Sequence, residues 1–358
     1  SFVERQRLFD LPRSSWADYD AKLISAGGGI FLRSAKSIAI SPQMKERFDI
    51  SADKLAPNEL LNALLKAPVD LLWNGGIGTY VKSSKESHAD VGDKANDLLR
   101  VDGRELRAKV VGEGGNLGMT QLGRVEYGLN GGKSNTDFID NAGGVDCSDH
   151  EVNIKILLGE IVGAGDMTGK QRNKLLVEMT DAVGGLVLGN NYKQTQALSL
   201  AERRARERVS EYKRLMTALE AAGKLDRALE FLPTDDELNE RAANGLGLTR
   251  PELSVLISYS KIDLKESLLK SLVPDDEYLA REMETAFPPL LAKKFGEPMR
   301  RHRLKREIVS TQIANDLVNH MGITFVQRLR ESTGMSAANV AGAYVIVRDL
   351  FRLPHWWK

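Results

Sequence analysis

Ala108-Lys109-Val110-Val111-Gly112-Glu113-Gly114-Gly115-Asn116 carries the clearest architectural signal in the chain. A short run rich in strand formers passes directly into glycines and an asparagine. Strands of an open α/β sheet end this way where they meet a ligand. Glycine adopts positive φ without strain and lets backbone approach a bound group. The pattern recurs twice. Val69-Asp70-Leu71-Leu72-Trp73 leads into Asn74-Gly75-Gly76, and Thr136-Asp137-Phe138-Ile139 leads into Asp140-Asn141-Ala142-Gly143-Gly144-Val145. Any one such turn is ordinary. Three together, with asparagine repeated, predict a site at the carboxyl edge of a parallel sheet.

Helical patterns lie between these runs. Ser41-Pro42 reads as an N-cap with proline at the first helical position. Pro57 opens a periodic stretch carrying Leu60, Leu61, Leu64 and Leu65, and Met119 to Leu129 suits a helix. Strand–helix alternation at this spacing implies crossover connections and a parallel sheet.

Beyond about residue 150 the pattern is helical. Leu198, Ala201, Ala205, Val209, Tyr212, Met216 and Leu219 fall at spacings of three and four, predicting one continuous apolar stripe. Its polar face carries Arg203, Arg204, Arg206, Arg208, Lys213 and Arg214 among Glu202, Glu207 and Glu211, which favours a solvated face over a phosphate track. Thr234-Asp235-Asp236-Glu237 and Thr249-Arg250-Pro251-Glu252 are capping boxes. Pro274-Asp275-Asp276-Glu277 reads as a first turn, Pro288-Pro289 ends a helix near Phe287, and Leu304, Ile308, Ile313, Leu317 and Val318 are core candidates. The expected class is α/β followed by all-α: a partial Rossmann-like parallel sheet in residues 1–165 and a C-terminal helical domain in 166–358.

Composition narrows the functional classes. The chain has 358 residues, 50 basic and 49 acidic, for a net charge of +1, so it lacks the basic bias of a dedicated nucleic-acid binder. Cys147 is the single cysteine, which precludes an internal disulfide and suggests a reducing, cytoplasmic setting. No run of 18 apolar residues suggests a membrane span. The opening Ser1-Phe2-Val3-Glu4 and the closing Leu353-Pro354-His355-Trp356-Trp357-Lys358 read as interior positions of a longer chain.

The turns together resemble the second half of the nucleotide-binding domain of glutamate dehydrogenases. That family carries an E-G-A-N turn, matched by Glu113-Gly114-Gly115-Asn116 with glycine for alanine. It also carries N-A-G-G-V, matched in full by Asn141-Ala142-Gly143-Gly144-Val145, with Ser148 following. Asn74-Gly75-Gly76 resembles the family's P-A-A turn, and Gly27-Gly28-Gly29 before Ile30-Phe31 its strand and turn at the adenosine end. The wider stretches LLWNGGIGTYVK, GEGGNLGMTQLGR and NAGGVDCSDHEVNIKILL are similar to the very large bacterial NAD-specific members.

This resemblance implies NAD as cofactor, with Asn74, Gly75, Gly76, Glu113, Gly114, Asn116, Asn141 and Gly144 as cofactor-binding positions. Asn116 and Asn141 each offer the donor and acceptor that a carboxamide needs. Ser148 would hold a carboxylate of L-glutamate or 2-oxoglutarate; equally, with Glu151 it forms a capping box. A homo-oligomer is implied for the full-length enzyme, and neither nucleic acid nor membrane is an expected partner.

Other candidates read more simply. His150 suits a structural or exposed helix-start histidine, Cys147 a packed and inert thiol, and His88, Asp90 and Asp93 a polar surface loop without metal-ligand spacing. No G-x-G-x-x-G follows a strand near the amino terminus, and the family's catalytic Lys and Asp have no counterpart here. The expectation is therefore part of a dehydrogenase, inactive alone. Set against it are a non-catalytic helical assembly or regulatory module on a degenerate sheet, and another amino-acid dehydrogenase.

Overall fold

The computed structural model describes residues 1–357, which fall into two compact units divided between residues 134 and 135. The first is mixed α/β. Leu71–Asn74 and Val110–Glu113 pair in parallel, with Leu71 opposite Val110 and Asn74 opposite Glu113. Val81–Lys82 and Val101–Asp102 form a second parallel pair, and Ile38–Ala39 and Lys54–Leu55 an antiparallel one. The helices Pro42–Phe48, Pro57–Leu65 and Gln121–Leu129 lie where the patterning expects them. The Ser41 hydroxyl accepts from the Met44 amide, and proline opens each of the first two. Val81, Val101, Leu106, Ala108, Val111, Met119 and Tyr127 form the core of the sheet region.

Two expectations for this unit fail. Gly27-Gly28-Gly29 and Ile30-Phe31 contain no strand; Gly27 takes a left-handed φ of 82° in a turn. The third parallel strand shrinks to a single bridge between Val110 and Lys133, where the Val111 amide donates to the Lys133 carbonyl at 2.9 Å. Gly131, at φ 91°, and Gly132 return the chain at that point. Thr136–Ile139 is not a strand. Asp137–Asp140 is a helical turn, with Thr136 extended before it and acids at both ends of the turn, where a helix start favours negative charge. Ile139 is buried and its neighbour Phe138 is exposed.

The second unit is helical throughout. Its centre is Arg250–Leu269, buried on several faces through Leu253, Leu256, Ile257, Leu264 and Leu268 and packed against Lys305–Met321. Ala142–Gly163 contributes Ile154, Leu157, Leu158 and Ile161 and packs against Thr180–Arg203. That helix, read from sequence with the nucleotide domain, lies in the second compact unit, so the compact boundary falls before the expected division at 165/166. Both threonine capping boxes form; Glu252, fully buried, takes the Thr249 amide at 2.6 Å and the Arg241 guanidinium at 2.8 Å. The stripe from Leu198 to Leu219 is not one helix. It breaks between Arg203 and Val209, although Leu198, Ala205, Val209, Tyr212, Met216 and Leu219 are all buried as its period predicts. Pro274 opens only a short 3-10 turn, and Phe287 ends a helix before Pro289 begins the next.

Candidate functional site

In the first unit, parallel pairing places two glycine turns at one strand edge. Asn74 ends one strand beside Glu113 at the end of the other. The Gly114 and Gly115 amides both donate to the Asn74 carbonyl, at 2.8 and 3.1 Å. Asn74 folds its side-chain Oδ1 onto the Gly76 amide at 3.3 Å, which shapes the turn. The structure therefore brings Asn74, Gly75, Gly76, Glu113, Gly114 and Asn116 to one edge. Asn116 is exposed there, and a Cβ at Gly76 would meet nothing. Beside the edge lies a largely apolar cavity of about 350 Å³, lined by Leu65, Leu72, Asn74, Tyr80 and Met119.

Gly115 is tied to its neighbour turn. A Cβ on it would collide with the Gly76 carbonyl, which accounts for glycine where the resembled turn has alanine. Gly115→Ala is expected to cost about 1–3 kcal/mol by overpacking. Denaturant midpoints, with hydrogen exchange at residues 74–76, check this; a wild-type midpoint would mean that the two turns separate freely.

Glu113 serves the scaffold. Its side chain is fully buried and bidentate with Arg124, whose Nε and Nη2 donate at 2.6 and 2.9 Å. The Met119 amide donates to the same carboxylate at 3.0 Å. This pins the start of the following helix under the turn, and Gly118 leaves room for the Asn74 amide above it.

Asn141, Gly144 and Ser148 lie in the second unit. The expected turn at Asn141–Val145 is instead the start of the helix Ala142–Gly163, with Asn141 at its N-cap. Ser148 is about two turns inside, so it is no N-cap and forms no capping box; Glu151 pairs with Lys155. Gly144, Val145, Ser148 and Val152 form an exposed stripe at helical spacing. A Cβ at Gly144 would meet nothing, so packing does not explain a glycine there, although a helix prefers alanine by up to about 1 kcal/mol.

The remaining candidates resolve as follows. His150 is buried, with Nδ1 2.8 Å from the Ala286 carbonyl; a carbonyl only accepts, so Nδ1 carries the proton and Nε2 faces Asn190 at 3.4 Å. Cys147 is exposed rather than packed, because it precedes the point where the helix enters the core. His88 and Asp97 both meet the buried Arg100 guanidinium, at 2.8 and 2.6 Å, while Asp93 accepts from the Thr79 amide at 2.8 Å. No cluster of three or more metal-ligating side chains occurs among the described residues. Nor is any helix among them long and apolar enough to cross a membrane.

Sequence reasoning missed a polar group in the second unit formed by Asn190, Gln194, Lys261 and Asn319 with Asp146. These come from four helices, so no local motif marks them. Their sequence trace is Asn190-Asn191 in mid-helix, where asparagine is a weak helix former.

An α/β unit with paired glycine turns, followed by a helical unit, suits an enzyme that holds a dinucleotide at a strand edge. Residues 1–201 match the family model for the catalytic domain of bacterial NAD-glutamate dehydrogenase, and residues 245–358 match that for the glutamate dehydrogenase C-terminal region. The chain belongs to the bacterial NAD-glutamate dehydrogenase family. It is 86% identical over its whole length to an NAD-specific glutamate dehydrogenase of Pseudomonas aeruginosa. It is 63% identical to one of Halomonas elongata and 45% identical to one of Mycobacterium tuberculosis. In each case it spans 22% of the relative's length.

Proposed function

We propose that this chain forms part of an NAD-dependent glutamate dehydrogenase, with its first unit contributing to a Rossmann-like nucleotide-binding sheet. The observation that carries this reading is the edge where Gly114 and Gly115 hydrogen-bond to Asn74 beside the exposed amide of Asn116. Those residues suit NAD: bare glycine backbone for close approach, side-chain amides for a carboxamide, and an apolar recess alongside. The reaction is reversible oxidative deamination of L-glutamate to 2-oxoglutarate and ammonium, for which NAD supplies the hydride acceptor.

The chain's own residues orient rather than react. Asn116 would offer its amide to the nicotinamide, while Glu113 holds that turn in register from beneath; Asn141 is a cofactor-binding position by resemblance alone. Ser148, on the exposed stripe with Gly144 and Val145, would donate to a substrate carboxylate. The family's catalytic Lys and Asp and its phosphate turn have no counterpart among these 358 residues, so the chain alone is expected to turn over no glutamate. Subunit association and a cytoplasmic location belong to the same reading.

The decisive experiment uses the complete enzyme. Asn116→Ala and Asn141→Ala should each raise the KM for NAD or lower kcat by about tenfold, equivalent to one lost hydrogen bond of about 1.4 kcal/mol. Wild-type kinetics in both would favour a non-catalytic scaffold. Turnover by the 358-residue chain would refute its predicted inactivity.

A further inference from the structure

The second unit contains a polar pocket of about 350 Å³ within its own helices. Lys261 reaches it from the central helix Arg250–Leu269, and its Nζ donates to Gln194 Oε1 at 2.6 Å. No carboxylate among the described residues comes within ion-pair distance of that Nζ. The charged groups facing it are Asp146 and Asp149, from Ala142–Gly163. Asp146 is already engaged: it accepts from Asn190 at 2.9 Å and lies 3.6 Å from His150 Nε2. The Thr180–Arg203 and Lys305–Met321 helices line the pocket with amides. One of these, Asn319 Oδ1, is buried without a hydrogen-bond partner.

These are the groups a small anion with a donor would complete. A buried amine has no paired carboxylate to hold its charged form, several amides can donate, and one buried acceptor lacks a donor. A solvated pocket accounts for the amides but leaves Asn319 Oδ1 without a donor and gives no reason for a lysine at this depth. We propose that this pocket binds a small carboxylate carrying a hydrogen-bond donor, such as an amino acid, with Lys261 as the cation and Asn319 Oδ1 accepting from the donor. Burial pushes the Lys261 amine down to about 7, only partly opposed by Asp146, so near pH 8 most of it is uncharged. An arriving carboxylate favours the ammonium, so binding draws a proton onto Lys261.

Asn141 and Val145 also line this pocket, so it adjoins the start of the helix Ala142–Gly163, and its link to catalysis rests on the function proposed above. The carboxylate has two sources with the same chemistry, the substrate itself or a second molecule acting elsewhere. The direct test is calorimetric titration of the 358-residue chain with L-glutamate at pH 8, in phosphate and in Tris. Binding with a buffer-dependent enthalpy, reporting uptake of up to about one proton, is expected. 2-Oxoglutarate, which lacks the amino donor, should bind more weakly. Lys261→Met should weaken binding about tenfold and abolish the proton uptake. Lys261→Arg, charged at every accessible pH, should bind without uptake, and it keeps the test open if the Met variant fails to fold.

Undetectable binding, or binding and proton uptake unchanged in both variants, would overturn the proposal. In the complete enzyme, a KM for glutamate raised in Lys261→Met with the KM for NAD unchanged would identify the substrate as the occupant. An unchanged KM alongside binding lost from the chain would identify a separate carboxylate; either result supports the pocket. The calorimetry needs no turnover, so it can succeed even if the proposed dehydrogenase role fails.

Discussion

Replacing Glu113 with Ala is expected to destabilise the first unit by about 3–5 kcal/mol, since it takes the bidentate carboxylate away from the buried Arg124 guanidinium. Arg124 is 3% exposed and Glu113 0%, so water cannot take over the lost partner. The Met119 amide loses its acceptor in the same step. Glu113→Gln should cost less, because its amide oxygen still accepts. Glu113→Leu combined with Arg124→Met should recover most of the loss, since an apolar pair of similar volume avoids desolvating charge. Denaturant unfolding followed by hydrogen exchange at residues 110–129 separates this unit from the helical one. A loss under 1 kcal/mol in Glu113→Ala would show that the pair does not organise the turn.

Arg348→Met should cost the second unit about 3–5 kcal/mol for the same reason. Arg348 donates from Nη1 to Glu282 Oε2 at 2.9 Å and to Asp316 Oδ2 at 2.7 Å, and from Nη2 to Glu282 Oε1 at 2.5 Å. Arg348 and Glu282 are each 8% exposed. Burial disfavours the charged form of Asp316, but hydrogen bonds from His320 and Arg348 outweigh it and hold its carboxyl down to about 2. A carboxyl depressed in the folded state stabilises above its ordinary value of 3.8, and that contribution disappears as pH falls toward 2. Without Arg348, Asp316 keeps the His320 and Tyr344 donors but loses its fixed positive partner, so the acid transition should move to higher pH. Circular dichroism across pH 2–5 checks the shift; an unmoved transition would exclude Asp316 as its source.

Much of this was legible in the sequence because it is local chemistry. Ser41-Pro42, Thr234 with Glu237 and Thr249 with Glu252 cap helices through neighbours three or four residues away, and all three form. The strands at Leu71–Asn74 and Val110–Glu113 announce themselves by composition and by the glycines that end them. The family resemblance rests on those same turns.

The errors occur where a short apolar run can satisfy either period. Phe138-Ile139 fits a strand or a helical turn equally well, and the burial of Ile139 in the helical core selects the helix. That choice moved Asn141–Val145 from a loop into a helix and took Ser148 away from its cap. Arg204–Arg208 interrupts a stripe whose period runs on unbroken, because a change of direction leaves hydrophobic spacing intact.

Local patterning thus determined the element types, the caps and the presence of a glycine-lined strand edge, since each depends on residues within a few positions of one another. Only the folded chain could show the Glu113 side chain in a buried pair with Arg124. Only it could gather Asp146, Gln194, Lys261 and Asn319 from four helices around one pocket. Both depend on burial and on contacts between distant segments, and these set the energetics of a charge that its neighbours in sequence do not reveal.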